Sequence, residues 1–501
     1  MKTLSELDIL QQHLNNAIDT IRDEIKRNNL PPLSNYSTEP HPMDDASIAL
    51  PPRLYEARRL LMGKPYSATF SWFSFSETFC TVYSFSGMQF EKAFLQGQLQ
   101  CLVQSPFDRV VEQSLSGYES SCLQILIRSG VLDQLAETDD PSAGIPAQEL
   151  AKVADIDSWK LVPVMRYLAS QGWLSEVKED TFRLTRLALE LRWGNNGRNW
   201  ITTPGKPEIS TAFVKQVLNE DPNWRYSRQP NQAAYQLAFN TDQTVFEYLK
   251  HHPKERHLWA MSIQAWGDIT YVGIIADYPW SSLDGYTLVD CAGGQGKLSI
   301  ALVKMLPNSQ VIIQDREEVG TLAKNNVKHN MPEVILGDRI SVEAQDLFMP
   351  QPRSGPKHVY ILKLVLHDWP DLECITILQH LAKAAREDTK IFIIDAISEP
   401  CTLRTVPESE KVDLKDLEYA EEYRKISPPA FIPANFGCSA KPLLALSVHM
   451  LGLFNGRERS MSEWETVISG AGLDIAAVHG LRGTLSIIEC QLPPRKDNEF
   501  H

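Results

Sequence analysis

The chain has 501 residues, 43% of them hydrophobic and 22% charged, enough apolar material for two or three domains with substantial cores. A formal net charge of -14 opposes nonspecific binding to nucleic acid or to an anionic membrane. The eight cysteines show no CxxC or Cys/His spacing, which argues against a zinc site and a disulfide framework. No apolar run approaches membrane-spanning length and no basic-then-apolar leader opens the chain, so the cytosol is the expected compartment.

Residues 1–30 set Leu7, Leu10, Leu14, Ile18, Ile21 and Ile25 three or four apart, which predicts an amphipathic helix closed by Pro31-Pro32. Its apolar stripe needs a partner, from the same chain or from a second subunit. Residues 31–52 read as a linker, and a short helix over 53–62 follows. Residues 64–87 have neither helical nor strand periodicity. Two readings stand side by side there. One is an ordinary insertion with exposed aromatics; the other is a translated, unspliced intron, because Gly63-Lys64 can be coded with a splice donor and Ser86-Gly87 with an acceptor.

From Phe107 the pattern turns helical. Helices are expected over 121–129, 145–153 and 158–170, then two short strands, 173–176 and 181–184. A helix-turn-helix followed by a hairpin is a winged-helix pattern. The would-be recognition helix carries Leu161, Val162, Val164, Met165, Tyr167 and Leu168 with few cations, a face suited to packing on protein and not to phosphates. Residues 240–269 form another helical stretch rich in aromatics. Beyond it, strands are expected at 286–291, 310–314, 340–344, 358–364, 390–395, 475–479 and 484–490, with helices in most gaps. Leu481-Arg482-Gly483 is too short for a parallel crossover, so the last strand should run antiparallel in an otherwise parallel α/β sheet.

The first of these strands runs into Asp290 and then Cys291-Ala292-Gly293-Gly294-Gln295-Gly296, with a helix next. Strand, glycine turn and helix make a nucleotide crevice at the carboxyl edge of a sheet, and Asp315 at the end of the following strand suits a ribose hydroxyl. The three-glycine spacing of dinucleotide sites and the Gly-Lys-Ser/Thr of triphosphate sites are both absent. A ligand with a ribose and no phosphate fits better, and S-adenosylmethionine is one. Past the fourth strand, His367 lies on the same edge, with Asp395 ending the fifth strand and Glu458 offered by Asn455-Gly456-Arg457-Glu458 at the opening of a later helix. An imidazole held by an acid on one nitrogen and free on the other is what a general base needs. No acidic cluster of the kind a metal would need is evident.

Taken together, these motifs resemble the plant and fungal small-molecule O-methyltransferases, class I methyltransferases with an N-terminal winged-helix dimerisation domain, such as the caffeic acid O-methyltransferases. The resemblance runs over about 98–492 and rests on Leu-Val-Asp-x-x-Gly-Gly-x-Gly, the strand end at Asp315, Gln345-Asp346-Leu347-Phe348, Lys363-x-x-x-His367-Asp368-Trp369 and Asn-Gly-Arg-Glu-Arg at 455–459. It implies a Rossmann-like seven-stranded sheet and a secondary-metabolism enzyme using S-adenosylmethionine. It also implies a homodimer through the N-terminal helix and winged helix, while the aromatic-rich helical region above the crevice suggests a flat phenolic or polyketide-like acceptor. Cofactor contacts fall on Asp290, Gly293, Gly294, Gly296, Asp315, Asp346, Leu347 and Lys363. His367 matches the proton acceptor, Asp395 and Glu458 its flanking acids, and Met261, Met450 and Asn455 the substrate pocket.

The domain plan expected from this is a helix and linker over 1–63, the atypical insertion over 64–97, a winged-helix region over 98–205, a helical connector over 206–270 and the methyltransferase domain over 271–492. Three departures from the family pattern stand out. Ala292 replaces a glycine, harmless if φ is negative; Asp395 is a methylene shorter than the family glutamate, which leaves Glu458 as the alternative holder of His367; and 399–433 is longer and more charged. The competing readings are a methyltransferase-like regulator without catalysis, and methyl transfer to nitrogen or carbon.

Overall fold

The computed structural model describes residues 6–32, 41–42, 50–62, 106–331, 339–402, 412, 423 and 441–494. The stretch 64–87 and most of 399–433 therefore lie outside the described residues. The chain divides into two compact units, one of Met1–Thr211, Phe246–Ile269 and Phe436–Ser439, the other of Ala212–Val245, Thr270–Asn435 and Ala440–His501.

In the first unit, α1 (Glu6–Arg27) packs on α2 (Pro52–Met62). Then come α3 (Pro106–Leu115), α4 (Gly117–Arg128), α5 (Val131–Ala136), β1 (Ile145–Pro146), α6 (Ala147–Ala154), α7 (Ser158–Ser170), β2 (Leu174–Lys178), β3 (Thr181–Leu184) and α8 (Asn196–Thr202). The three strands form an antiparallel sheet in the order β1-β3-β2. Leu161, Met165 and Leu168 of α7 are buried in a core shared with Leu126, Leu132, Leu150 and Phe182. Residues 145 and 146 were expected to be helical. Pro146 instead keeps an extended backbone and Ile145 pairs with Phe182, so the helix starts at Ala147.

Downstream lie α9 (Pro207–Val217), α10 (Pro222–Arg225), α11 (Ala234–Phe239), α12 (Val245–His251) and α13 (Pro253–Asp277). The single helical stretch expected over 240–269 is broken. Asn240, in the left-handed region at φ 49°, ends α11, and Pro253 opens a new helix that runs on to Asp277.

The second unit is built on a seven-stranded sheet of β4 (Thr287–Cys291), β5 (Gln310–Asp315), β6 (Ile340–Ala344), β7 (His358–Lys363), β8 (Lys390–Ala396), β9 (Asp474–Gly480) and β10 (Leu485–Gln491), in the order β6-β5-β4-β7-β8-β10-β9. The pairs from β6 to β8 are parallel, and β10 runs antiparallel to both β8 and β9. The expected fold is borne out strand by strand. Central strands buried on both faces explain the unbroken apolar runs: Leu288, Ile313, Ile361 and Phe392 enter one core, while Val289, Ile312, Leu362 and Ile393 enter the other. Helices α14 (Lys297–Met305) and α15 (Glu317–Asn330) contribute to the first core, α16 (Asp371–Ala384) and α18 (Met461–Gly470) to the second. Helix α17 (Lys441–Phe454) precedes α18.

Candidate active site

Because β4, β5, β6, β7 and β8 are parallel, the segments that follow them emerge on one edge of the sheet. That edge collects Gly293, Gly294 and Gly296 after β4, Asp315 at the end of β5, Asp346 and Leu347 after β6, Lys363 and His367 at and after β7, and Asp395 near the end of β8.

The glycine turn is held from beneath and open above. Gly293 N–H donates to the Gln314 carbonyl (3.1 Å), Gly294 N–H to Asp315 Oδ2 (2.9 Å), and Asn326 Nδ2 to the Gln295 carbonyl (2.8 Å). Gly296, at φ 76°, starts α14, and a Cβ there would fall 2.4 Å from Ile313 Cδ1, so strand and helix pack closely. A Cβ on Gly294 would meet nothing within 4 Å. Ala292 sits at φ 56°, so the condition under which it would be harmless fails; the alanine is held in a conformation that favours glycine.

Asp290 lies under the turn instead of lining it. Its Oδ2 accepts from Ser299 Oγ (2.6 Å), and burial pushes its carboxyl up to about 6, against the pull of Ser299 and Lys363. Asp315 also accepts from Arg316 N–H (2.8 Å), and burial raises its carboxyl above the usual range. Asp346 is exposed and caps its own turn through Phe348 N–H (3.0 Å), while Leu347 leans on the second core. A turn open at Gly294, a carboxylate for a diol, an exposed acid for an amine and a cation at Lys363 fit a nucleoside that also carries an amino-acid end.

His367 lies in the short 3-10 turn Leu366–Asp368 and is buried. Its Nδ1 is 2.7 Å from Glu458 Oε1 but 3.9 Å from Asp395 Oδ1, beyond hydrogen-bond reach. Its Nε2 is 3.6 Å from Asp368 Oδ1 and makes no hydrogen bond among the described residues. Burial alone would lower the imidazole; Glu458, Asp395 and Asp368 outweigh it and push it up to about 10. Asp395 is fully buried, with neither oxygen hydrogen-bonded among the described residues, and burial pushes it up to about 7. Burial likewise pushes Asp368 up to about 6. The expectation that no acidic cluster exists is overturned: ligand-capable atoms of His367, Asp395 and Glu458 lie within 4.8 Å of one another. Within that group Nδ1 and Oε1 already satisfy each other at 2.7 Å.

Glu458 does not open a helix as expected. It belongs to the link between α17 and α18, with its N–H donating to Ser447 Oγ (3.1 Å), and α18 starts after the capping residue Ser460. The next residue, Arg459, closes the Asn-Gly-Arg-Glu-Arg motif, whose sequence alone assigns it no role. It is fully buried, donates to the carbonyls of Leu366 (2.9 Å) and Trp369 (2.7 Å), and pairs with Asp371 (2.9 Å). It therefore braces the turn on both sides of His367.

Of the expected pocket residues, Met450 is buried on α17, one turn from Ser447. Met261 belongs to α13 in the first unit, so it is not among the residues that the second unit brings together. Asn455 is turned inward, with both amide protons donated to the carbonyls of Gln229 (2.7 Å) and Gln232 (3.0 Å), which leaves none for a bound acceptor.

Residues 224–422 match the family model described as an O-methyltransferase domain. The chain carries an O-methyltransferase domain. The O-methyltransferase gedA of Aspergillus terreus is 26% identical over 427 residues, covering 78% of this chain and 84% of that protein. The 4-O-methyltransferase 1 of Phanerochaete chrysosporium is 26% identical, covering 72% and 79%. Among solved structures, the mitomycin 7-O-methyltransferase MmcR has the same fold at TM-score 0.59 and 19% identity, covering 79% of this chain and 99% of that one. A structure described as a pericyclic reaction enzyme has it at TM-score 0.61 and 20% identity, covering 79% and 92%.

Proposed function

We propose that this O-methyltransferase moves a methyl group from S-adenosylmethionine to a hydroxyl of a small aromatic, phenolic or polyketide-like metabolite, with His367 taking the proton. The observation that carries the reading is the 2.7 Å contact between His367 Nδ1 and Glu458 Oε1 on the edge that holds the open glycine turn. When bound, S-adenosylmethionine supplies a methyl group already activated on a sulfonium, so alignment and proton removal are what the chain must add. Gly293, Gly294 and Gly296 admit the nucleoside, Asp315 holds its ribose, Asp346 and Leu347 meet the base, and Lys363 meets its charged end. Asp290 supports the turn from below.

His367 accepts the hydroxyl proton at Nε2, and the Glu458 carboxylate beside Nδ1 stabilises the imidazolium that results. A phenol loses its proton near pH 10. An imidazole raised to about 10 therefore receives that proton at almost no thermodynamic cost, whereas one at the ordinary 6.5 would not. The same shift keeps nearly all of the resting His367 protonated at neutral pH, so the active fraction grows as pH rises. A flat acceptor is supported by the solved structure of the O-methyltransferase NcsB1 with 2-hydroxy-5-methyl naphthoic acid, 23% identical at TM-score 0.56.

The same reading places the protein in cytosolic secondary metabolism as a homodimer through α1 and the winged-helix region of 98–205. In its support, α3 buries none of its side chains and leaves Phe107, Val110 and Leu115 exposed, an apolar face that a second copy would cover. Among the described residues no helix is long and apolar enough to cross a membrane. Light scattering on the purified chain checks the dimer; a monomer mass would remove it.

Because a pericyclic reaction enzyme has this fold, the deciding experiment follows the methyl group itself. The protein is incubated with methyl-labelled S-adenosylmethionine and a panel of phenols and hydroxynaphthoic acids. A labelled methyl ether is expected. Tight binding of S-adenosylmethionine with no label transferred to any acceptor would favour a silent or non-transferring protein, and label on nitrogen or carbon would move the reaction.

A further inference from the structure

Gln216, near the end of α9, is 6% exposed and uses its whole amide. Its Oε1 accepts from Ala234 N–H (2.9 Å), and its Nε2 donates to Asn455 Oδ1 (2.7 Å) and to the Leu451 carbonyl (3.2 Å). Asn455 in turn donates to the carbonyls of Gln229 and Gln232. Backbone partners set the orientation of both amides, since Ala234 N–H only donates and the three carbonyls only accept. This buried network meets the chain where α17 stops, at Asn455 with φ 55°.

The network then bears on the reacting groups. At the next residue, Gly456, a Cβ would lie 2.1 Å from the His367 carbonyl oxygen, so the corner sits hard against the backbone of the proposed base. Two residues on, Glu458 reaches His367 Nδ1 at 2.7 Å. The corner at Asn455 and Gly456 therefore sets how far the Glu458 carboxylate stands from the imidazole.

We propose that Gln216, acting through Asn455, is a positioning residue that holds Glu458 against His367 for the proton transfer. The proposal rests on the reading of His367 as the base. Asn455 is part of the same device, in place of the substrate contact that the family resemblance implied for it.

The test substitutes Gln216→Glu in the full chain. Glutamate keeps the oxygen that accepts from Ala234 N–H but sets an acceptor against Asn455 Oδ1 and the Leu451 carbonyl. Only its protonated form can donate there. The His367 titration is followed by NMR of 13C-labelled histidine, assigned with His367→Ala. It is expected to move down by about one pH unit relative to wild type. Turnover with S-adenosylmethionine and the best phenol of the panel is expected to fall roughly 10–100-fold on the alkaline plateau, above the His367 titration of both proteins. That loss shrinks toward acid pH as the new carboxyl takes up a proton, while binding of S-adenosylmethionine is unchanged.

An unshifted His367 titration overturns the proposal, whether or not turnover falls. A shifted titration in a chain whose wild type methylates no phenol supports the positioning and sinks the assigned reaction instead. If Gln216→Glu does not fold, Gln216→Met, which has the same length and none of the three hydrogen bonds, is read by the same titration.

Discussion

Glu458, and not Asp395, is the acid in contact with His367: the separations from Nδ1 are 2.7 and 3.9 Å. The difference follows from chain geometry. Asp395 is fixed near the end of β8, while Glu458 rides on a link whose following residue, Arg459, bonds the carbonyls on either side of His367. Two carboxylates so close to one imidazole do different work. One makes the hydrogen bond and the other contributes charge from a distance.

Glu458→Gln is therefore expected to lower turnover about 10–100-fold, and Asp395→Asn by clearly less. Glu458 raises the His367 imidazole, so its loss lowers that group and moves the acid limb of the turnover–pH profile to lower pH. Steady-state kinetics of the two variants from pH 6 to 10 check the order. An equal or larger loss in Asp395→Asn would mean that the closer contact is not the working one.

Asp395 makes a separate statement about stability. Its carboxyl is raised from the ordinary 3.8 to about 7 by burial, so the folded state favours the protonated form. That contribution is complete below pH 3.8 and is lost as pH rises through about 7, where a buried charge must be carried. Asp395→Asn removes the charge and should raise the melting temperature at pH 8 by roughly 2–4 °C, for a gain of about 1 kcal/mol, with little change at pH 4. His367, also raised, loses its ion-pair contribution only as pH climbs toward 10, so the two effects separate on the pH axis. A variant less stable than wild type at pH 8 would refute the sign.

Ala292→Gly should stabilise the chain. At φ 56° an alanine costs about 1–2 kcal/mol, while glycine costs about 0.5–1 kcal/mol in unfolded-state freedom, which leaves a net gain of about 0.5–1 kcal/mol. Chemical denaturation reads it as a higher midpoint. A lower midpoint would show that the methyl, which leans on the second core, outweighs the backbone.

The sheet was legible because it is local: Leu288, Val289 and Ile312, Ile313 make unbroken apolar runs, and the acids at 290 and 315 mark their ends. The candidate site was legible as a set of residues, since parallel strands deliver their carboxyl ends to one edge. Its wiring was not. The contact between His367 and Glu458 spans 91 residues, and that between Gln216 and Asn455 spans 239, so periodicity carries no trace of either. Arg459 stands in the Asn-Gly-Arg-Glu-Arg motif, yet its task of bracing Leu366 and Trp369 depends on a turn that local patterning does not specify. The same holds at Ala292, where φ is set by the turn and not by the residue.

The most direct measurement is turnover in His367→Ala, with binding of S-adenosylmethionine measured in parallel by calorimetry. Loss of the proton acceptor should cut turnover by about 10²–10⁴-fold and leave binding nearly unchanged, since the glycine turn and Asp315 are untouched. Turnover equal to wild type in a variant that still binds S-adenosylmethionine would contradict His367 as the base.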